Sequence, residues 1–177
     1  MTIKPFATDT YKRWPFRPDF ENGRTNIGAI DLIKEPERIE EIHELASTPK
    51  LKEAILLLHK ENSAFMTLGC LIEKDPEKDM FWSYLEFCFR PSIDTSQIDL
   101  WNIDELFFKH VAEKNGEDVA KQLADYLSWE AFEIELYGNT PCLAYSVFYP
   151  HPQLENIEAF YVYLLKWLRQ TFDHLAS

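Results

Sequence analysis

Between residues 129 and 149 apolar and polar side chains alternate with a period of two, and this pattern constrains the fold more than any other. Phe132, Ile134 and Leu136 are separated by Glu133 and Glu135. A strand with one wetted face accommodates such a row, because side chains two apart share a face. Gly138-Asn139 follows as a turn, and Leu143, Tyr145 and Val147 return as an apolar row expected on the same face as the first. A β-hairpin over about 129–149 is the prediction.

A second hairpin is predicted over about 63–90. Met66, Leu68, Cys70 and Ile72 alternate along its first strand, and Phe81, Ser83, Leu85, Phe87 and Phe89 along its second. A turn at Asp75-Pro76-Glu77-Lys78 sets Cys70 opposite Leu85, so both apolar rows face one way.

Helical periodicity occupies three other stretches, about 36–60, 103–127 and 153–174. Pro36 suits a first helical position, and Ile39, Ile42 and Leu45 fall on one face. Thr48 is placed to cap a second helix, with Leu51, Ala54, Ile55 and Leu58 as its stripe. Asn102 and Glu105 have capping-box spacing, and Asn115-Gly116 is a stop before a helix from Glu117 to about Leu127. The order is helices, hairpin, helices, hairpin, helix, which predicts an α+β domain with an antiparallel sheet and its helices on one face. A short strand is expected at Asn26–Ile33. The first 34 residues otherwise read as an extended strap, since prolines at 15 and 18 interrupt any helix.

In the last helix Ile157, Tyr161, Leu164, Leu168 and Phe172 form the main stripe, while Phe160, Tyr163 and Trp167 widen it. An apolar surface that broad needs two covers. The second is expected to be the strap or another copy of the chain, so these three rings are the self-association candidates for a homodimer.

Thirty acids against eighteen bases give a net charge of −12, which disfavours nucleic acid and anionic membrane as partners and favours a basic protein. The amino terminus lacks the apolar run of a secretory signal, and no stretch reaches the length of a bilayer span. Three cysteines without paired spacing suit free thiols. A soluble, cytoplasmic single domain is expected. The five glycines never form a phosphate-binding loop, and no HExxH occurs, so no cofactor or metal is implied. His110 and Glu113 stand one helical turn apart, yet a histidine on an apolar stripe reads as packed rather than ligating.

Aromatics make up 15% of the chain, more than a core this size needs, so some rings are expected at a surface that meets a partner. Trp82, Tyr84 and Glu86 lie on the outer row of the first hairpin. Trp129, Glu133, Glu135 and Tyr137 lie on the outer row of the second. If both hairpins join one sheet, these rows merge into an acidic, aromatic face, the predicted binding site of a non-catalytic protein-binding domain. Arg13, Lys12 and Arg17, interleaved with Tyr11, Trp14, Phe16 and Phe20, read as a strap pinned by its rings with its bases toward the acidic body. The alternative is an enzyme or small-ligand binder with a pocket near Glu133 and Glu135, whose strand spacing of about 6.6 Å is compatible with acid/base work, or near His110.

In element order over residues 36–175 the chain resembles the small acidic chaperones of type III secretion and their structural relatives. The resemblance implies a dimeric α/β protein holding an extended partner on apolar patches, and it carries over no site residue. An immunity-protein-like role is the other form a binding domain of this kind would take.

Overall fold

The computed structural model describes residues 4–5, 13–15, 28–60, 62–138 and 140–176. It is an α+β fold built on one curled, mostly antiparallel sheet. The strands are β1 (Lys4–Pro5), β2 (Arg13–Trp14), β3 (Phe65–Asp75), β4 (Met80–Phe89), β5 (Ser128–Leu136) and β6 (Thr140–Phe148). The helices are α1 (Pro49–Leu58), α2 (Ile103–Asn115), α3 (Glu117–Tyr126) and α4 (Leu154–Phe172). Across the sheet the order is β1, β5, β6, β4, β3. Both short strands pair with β5 in parallel, β2 continuing the edge that β1 begins.

The first hairpin holds the predicted register, with Cys70 opposite Leu85. Its turn is local chemistry: the Asp75 carboxylate accepts hydrogen bonds from the Glu77 and Lys78 amides at 2.9 and 3.3 Å. The predicted single apolar row on β3 is broken, however, by a bulge between Thr67 and Gly69. Past that bulge the side chains change face. Cys70 and Ile72 pack against the helix-side core, while Met66 and Leu68 point through the other side of the sheet. The Thr67 amide hydrogen-bonds the Nε2 of buried His59 at 3.3 Å, and the same ring donates through Nδ1 to the Ile55 carbonyl at 2.8 Å. The ring at the end of α1 thus supports the irregularity in β3.

The second hairpin departs by one residue from the expected pairing. Leu136 lies opposite Thr140 and Ile134 opposite Cys142, with positive φ at Tyr137 and Gly138 in the turn. A slip of one residue exchanges faces for a whole strand. Leu143, Tyr145 and Val147 therefore line up with Glu133, Ala131 and Trp129, not with Phe132 and Ile134. Both β5 rows are apolar along part of their length, so both faces of the sheet carry a core.

On the helix side, α1, α2 and α4 bury Leu51, Ile55, Phe107, Tyr161 and Leu164 against Leu85, Phe87, Tyr145 and Val147. On the opposite side a smaller cluster joins Met66, Leu68, Cys88, Ile134, Leu136 and Ala144 beneath Trp14. Trp14 is 1% exposed and its indole N–H donates to the Leu68 carbonyl. Arg13 beside it pairs with Glu135 at 2.8 Å. The described part of the strap is thus pinned by a ring with its base on an acid; Tyr11, Lys12, Phe16, Arg17 and Phe20 lie outside the described residues.

Several local expectations are corrected. Residues 36–45 form two short 3₁₀ segments, Pro36–Glu41 and His43–Leu45, not an α-helix. No strand forms over the described residues 28–33, where Ile30 and Leu32 enter the core from irregular chain. Thr48 and Asn102 occupy N-cap positions but make no capping bond. At α1 the role passes to Glu158 of α4, whose Oε1 accepts from the Lys50 and Leu51 amides at 2.7 and 3.4 Å. Gly116 ends α2 at φ 100°, where its missing Cβ relieves the left-handed backbone. Among the described residues no helix is long and apolar enough to cross a membrane.

Candidate functional site

The two hairpins meet through β4 and β6, with Tyr84 opposite Phe148, Glu86 opposite Ser146 and Cys88 opposite Ala144. On the far side of β6, Glu130 of β5 also lies opposite Ser146. Side chains on one sheet face therefore run Gly69, Glu86, Ser146, Glu130 across four strands, with Trp82, Tyr84 and Phe148 beside them. This is the face away from the helices. Trp14 covers one end of it, and the aromatic and acidic residues occupy the other.

Trp82 is 45% exposed and stands opposite Glu73. Its indole is held rather than loose: the N–H reaches the Asp75 carboxylate at 3.3 Å and the Lys78 ammonium sits 5.4 Å from its ring centre. Tyr84 and Phe148 are half-buried, with ring centres 5.5 Å apart. Glu86 is the most unusual member. Burial pushes its carboxyl up to about 7, helped by the nearby Glu130 charge and opposed by the Ser146 hydroxyl. Room for that carboxyl comes from Gly69, since a Cβ there would lie 3.1 Å from Glu86 Oε2. A glycine in mid-strand is thus explained by the acid it admits.

The predicted site residues divide. Trp82, Tyr84 and Glu86 share the sheet face as expected. Glu133 and Glu135 project on the other side, toward the far end of β5, and Tyr137 sits in the turn beyond them, outside the strand alternation. Glu133 is exposed there, while Tyr137 donates to Asp31 at 3.0 Å and packs edge-on against Trp14. Trp129 is a correction: it is 2% exposed, wedged between Phe87 and Phe107 in the helix-side core. The register of β6 is the reason, since Trp129 falls opposite Val147, which faces the helices.

The self-association candidates are corrected in the same way. Phe160 and Trp167 are buried and Tyr163 half-buried, all three against Phe107 of α2, with Tyr163 also donating to Asn115 at 3.2 Å. The second cover of α4 is a helix of the same chain. His110 stacks near Tyr163 and Trp167, as a packed histidine would. Among the described residues no group of three or more histidine, cysteine, aspartate or glutamate side chains is arranged to hold a metal ion. A groove of about 590 Å³ between α2 and α3 is lined by Glu105, Lys109, Glu113 and Lys121 among others, and neither Glu133 nor Glu135 lines it.

The outer row of the second hairpin's return strand was expected to hold Ser146 and Phe148, and both lie on the Trp82 face; Glu130 was missed as a member of it. The signal was present in the alternation of Ser128, Glu130 and Phe132, but its meaning depended on the register of the second hairpin. No protein-family model, curated protein or solved structure matches this chain.

Proposed function

We propose that this chain is a non-catalytic protein-binding domain that captures a basic partner on the acidic, aromatic end of its sheet. The observation that carries this reading is the exposed Trp82 set among Tyr84, Phe148, Glu73, Glu86 and Glu130 on one sheet face. Large rings held in place supply contact area at low entropy cost, and carboxylates beside them select for positive charge. The overall charge of −12 speeds encounter with such a partner. A toxin-neutralising immunity role or a dedicated secretion-chaperone role would both use a surface of this kind.

The test is affinity capture from the native host with wild-type and Trp82→Ala baits. One basic protein, recovered at equal stoichiometry by the wild type and depleted at least tenfold by the variant, is the expected result. Equal recovery by both baits would refute the assignment of the surface.

A second reading rests on Glu86. A carboxyl raised to about 7 across Ser146 from another carboxylate is a pattern used for acid/base work. An enzyme would thus centre on Glu86 and Glu130, not on Glu133 and Glu135. Turnover abolished by Glu86→Gln with the partner still captured would favour it.

A further inference from the structure

We propose that Cys142 and Cys88 form a reversible redox pair, which hydrogen peroxide converts into a disulfide joining β6 to β4. The inference is independent of the binding surface and rests on where the register places the two thiols. Cys88 lies opposite Ala144, and Cys142 sits two residues from Ala144 on the same strand. Both therefore occupy one face of neighbouring strands, one diagonal step apart, where Cα atoms are about 7–8 Å apart and side chains still touch. The two side chains share one cluster beneath Trp14, with Cys88 buried in it and Cys142 packed against it. A disulfide needs a Cα separation below about 7 Å, so the strands must close by roughly 1 Å. Cys70 is excluded, because it lies on the helix-side face of β3.

The two thiols differ in a way that orders the steps. Cys142 is half-buried and Cys88 fully buried. The hydrogen bond from Cys88 holds the Cys142 thiol below its ordinary value, while burial pushes Cys88 well above. The accessible, more acidic sulfur attacks first, and the buried one resolves. The Cys142 thiolate attacks one peroxide oxygen, the O–O bond breaks, and the departing hydroxide takes up a proton as water. The Cys88 sulfur then attacks the sulfenic sulfur; the S–S bond forms, the S–O bond breaks, and hydroxide leaves with the Cys88 proton as a second water. The two thiols lose two electrons and the peroxide gains them.

The test treats the full chain with graded hydrogen peroxide, blocks remaining thiols with N-ethylmaleimide after unfolding, and maps peptides without reduction. Expected is a fall from the three labels of the untreated chain to one, with a Cys88–Cys142 crosslinked peptide that dithiothreitol removes. Cys70→Ala should keep the crosslink. Cys88→Ala should instead let dimedone trap a sulfenic acid on Cys142; should that variant not fold, Cys142→Ser at the half-exposed position must abolish the crosslink. Three labels retained at peroxide levels that oxidise free glutathione in the same tube would overturn the proposal. So would a crosslink through Cys70 or between chains, or sulfinic acid on Cys142 without a crosslink.

Discussion

Glu86→Gln and His59→Asn are expected to tilt the pH dependence of stability in opposite directions. Burial raises the Glu86 carboxyl to about 7 from an ordinary 4.5. Between those values the folded chain holds a proton that the unfolded chain has released. This group therefore favours the fold at low pH, and its contribution is lost as pH rises through 7. Burial lowers the His59 imidazole from 6.5 to about 4. Here the unfolded chain holds the extra proton, so stability is complete above pH 6.5 and is lost as pH falls toward 4. Between about pH 7 and pH 5 each contribution changes by roughly 2 kcal/mol, with opposite sign. In the wild type the two nearly cancel, and each substitution unmasks the other.

Urea unfolding followed by tryptophan fluorescence at the two pH values measures this directly. Relative to wild type, Glu86→Gln should lose about 2 kcal/mol on acidification, and His59→Asn should gain about as much. Any constant destabilisation from the substitution itself drops out, because the slope is what is read. A Glu86→Gln slope equal to that of wild type would mean the carboxyl is fully watered. It would also refute the description of that sheet face as partly dry.

Three further outcomes follow from particular contacts. Trp129→Ala should cost about 3–5 kcal/mol in chemical denaturation, whereas Trp82→Ala should cost less than about 1, a contrast that reports which ring is core. Glu158→Ala should lower stability by about 1 kcal/mol by uncapping α1, with the loss visible as faster amide exchange at Lys50 and Leu51. Gly69→Ala should fold but push the Glu86 carboxyl outward, and a carboxyl titration by NMR should then find it closer to 4.5 than the value of about 7 in the parent.

Much of this molecule was legible from local pattern. The hairpins, the helix from Glu117, the stop at Gly116 and the Cys70–Leu85 pairing all follow from periodicities and turn chemistry acting over a few residues. The site was half legible. Trp82, Tyr84 and Glu86 lie on one strand, so their common face is a local fact. Their companions Phe148 and Glu130 come from other strands. Placing Glu130 required a hairpin register that differs by one residue from the simplest turn, and parity then moved Trp129 into the core.

The amino-acid order alone determined which segments would be strands and helices, because the periods of 2 and 3.6 are set by backbone geometry and each residue's solubility. It also determined the acidic charge. Only the tertiary structure decided which face each row occupied. The bulge at Thr67 depends on His59 from another element, and the capping of α1 depends on Glu158, 108 residues from Lys50. The cover of α4 is likewise α2 of the same chain. Those choices are made by long-range hydrogen bonds and by competition among apolar surfaces for the same core, which no window of neighbouring residues contains.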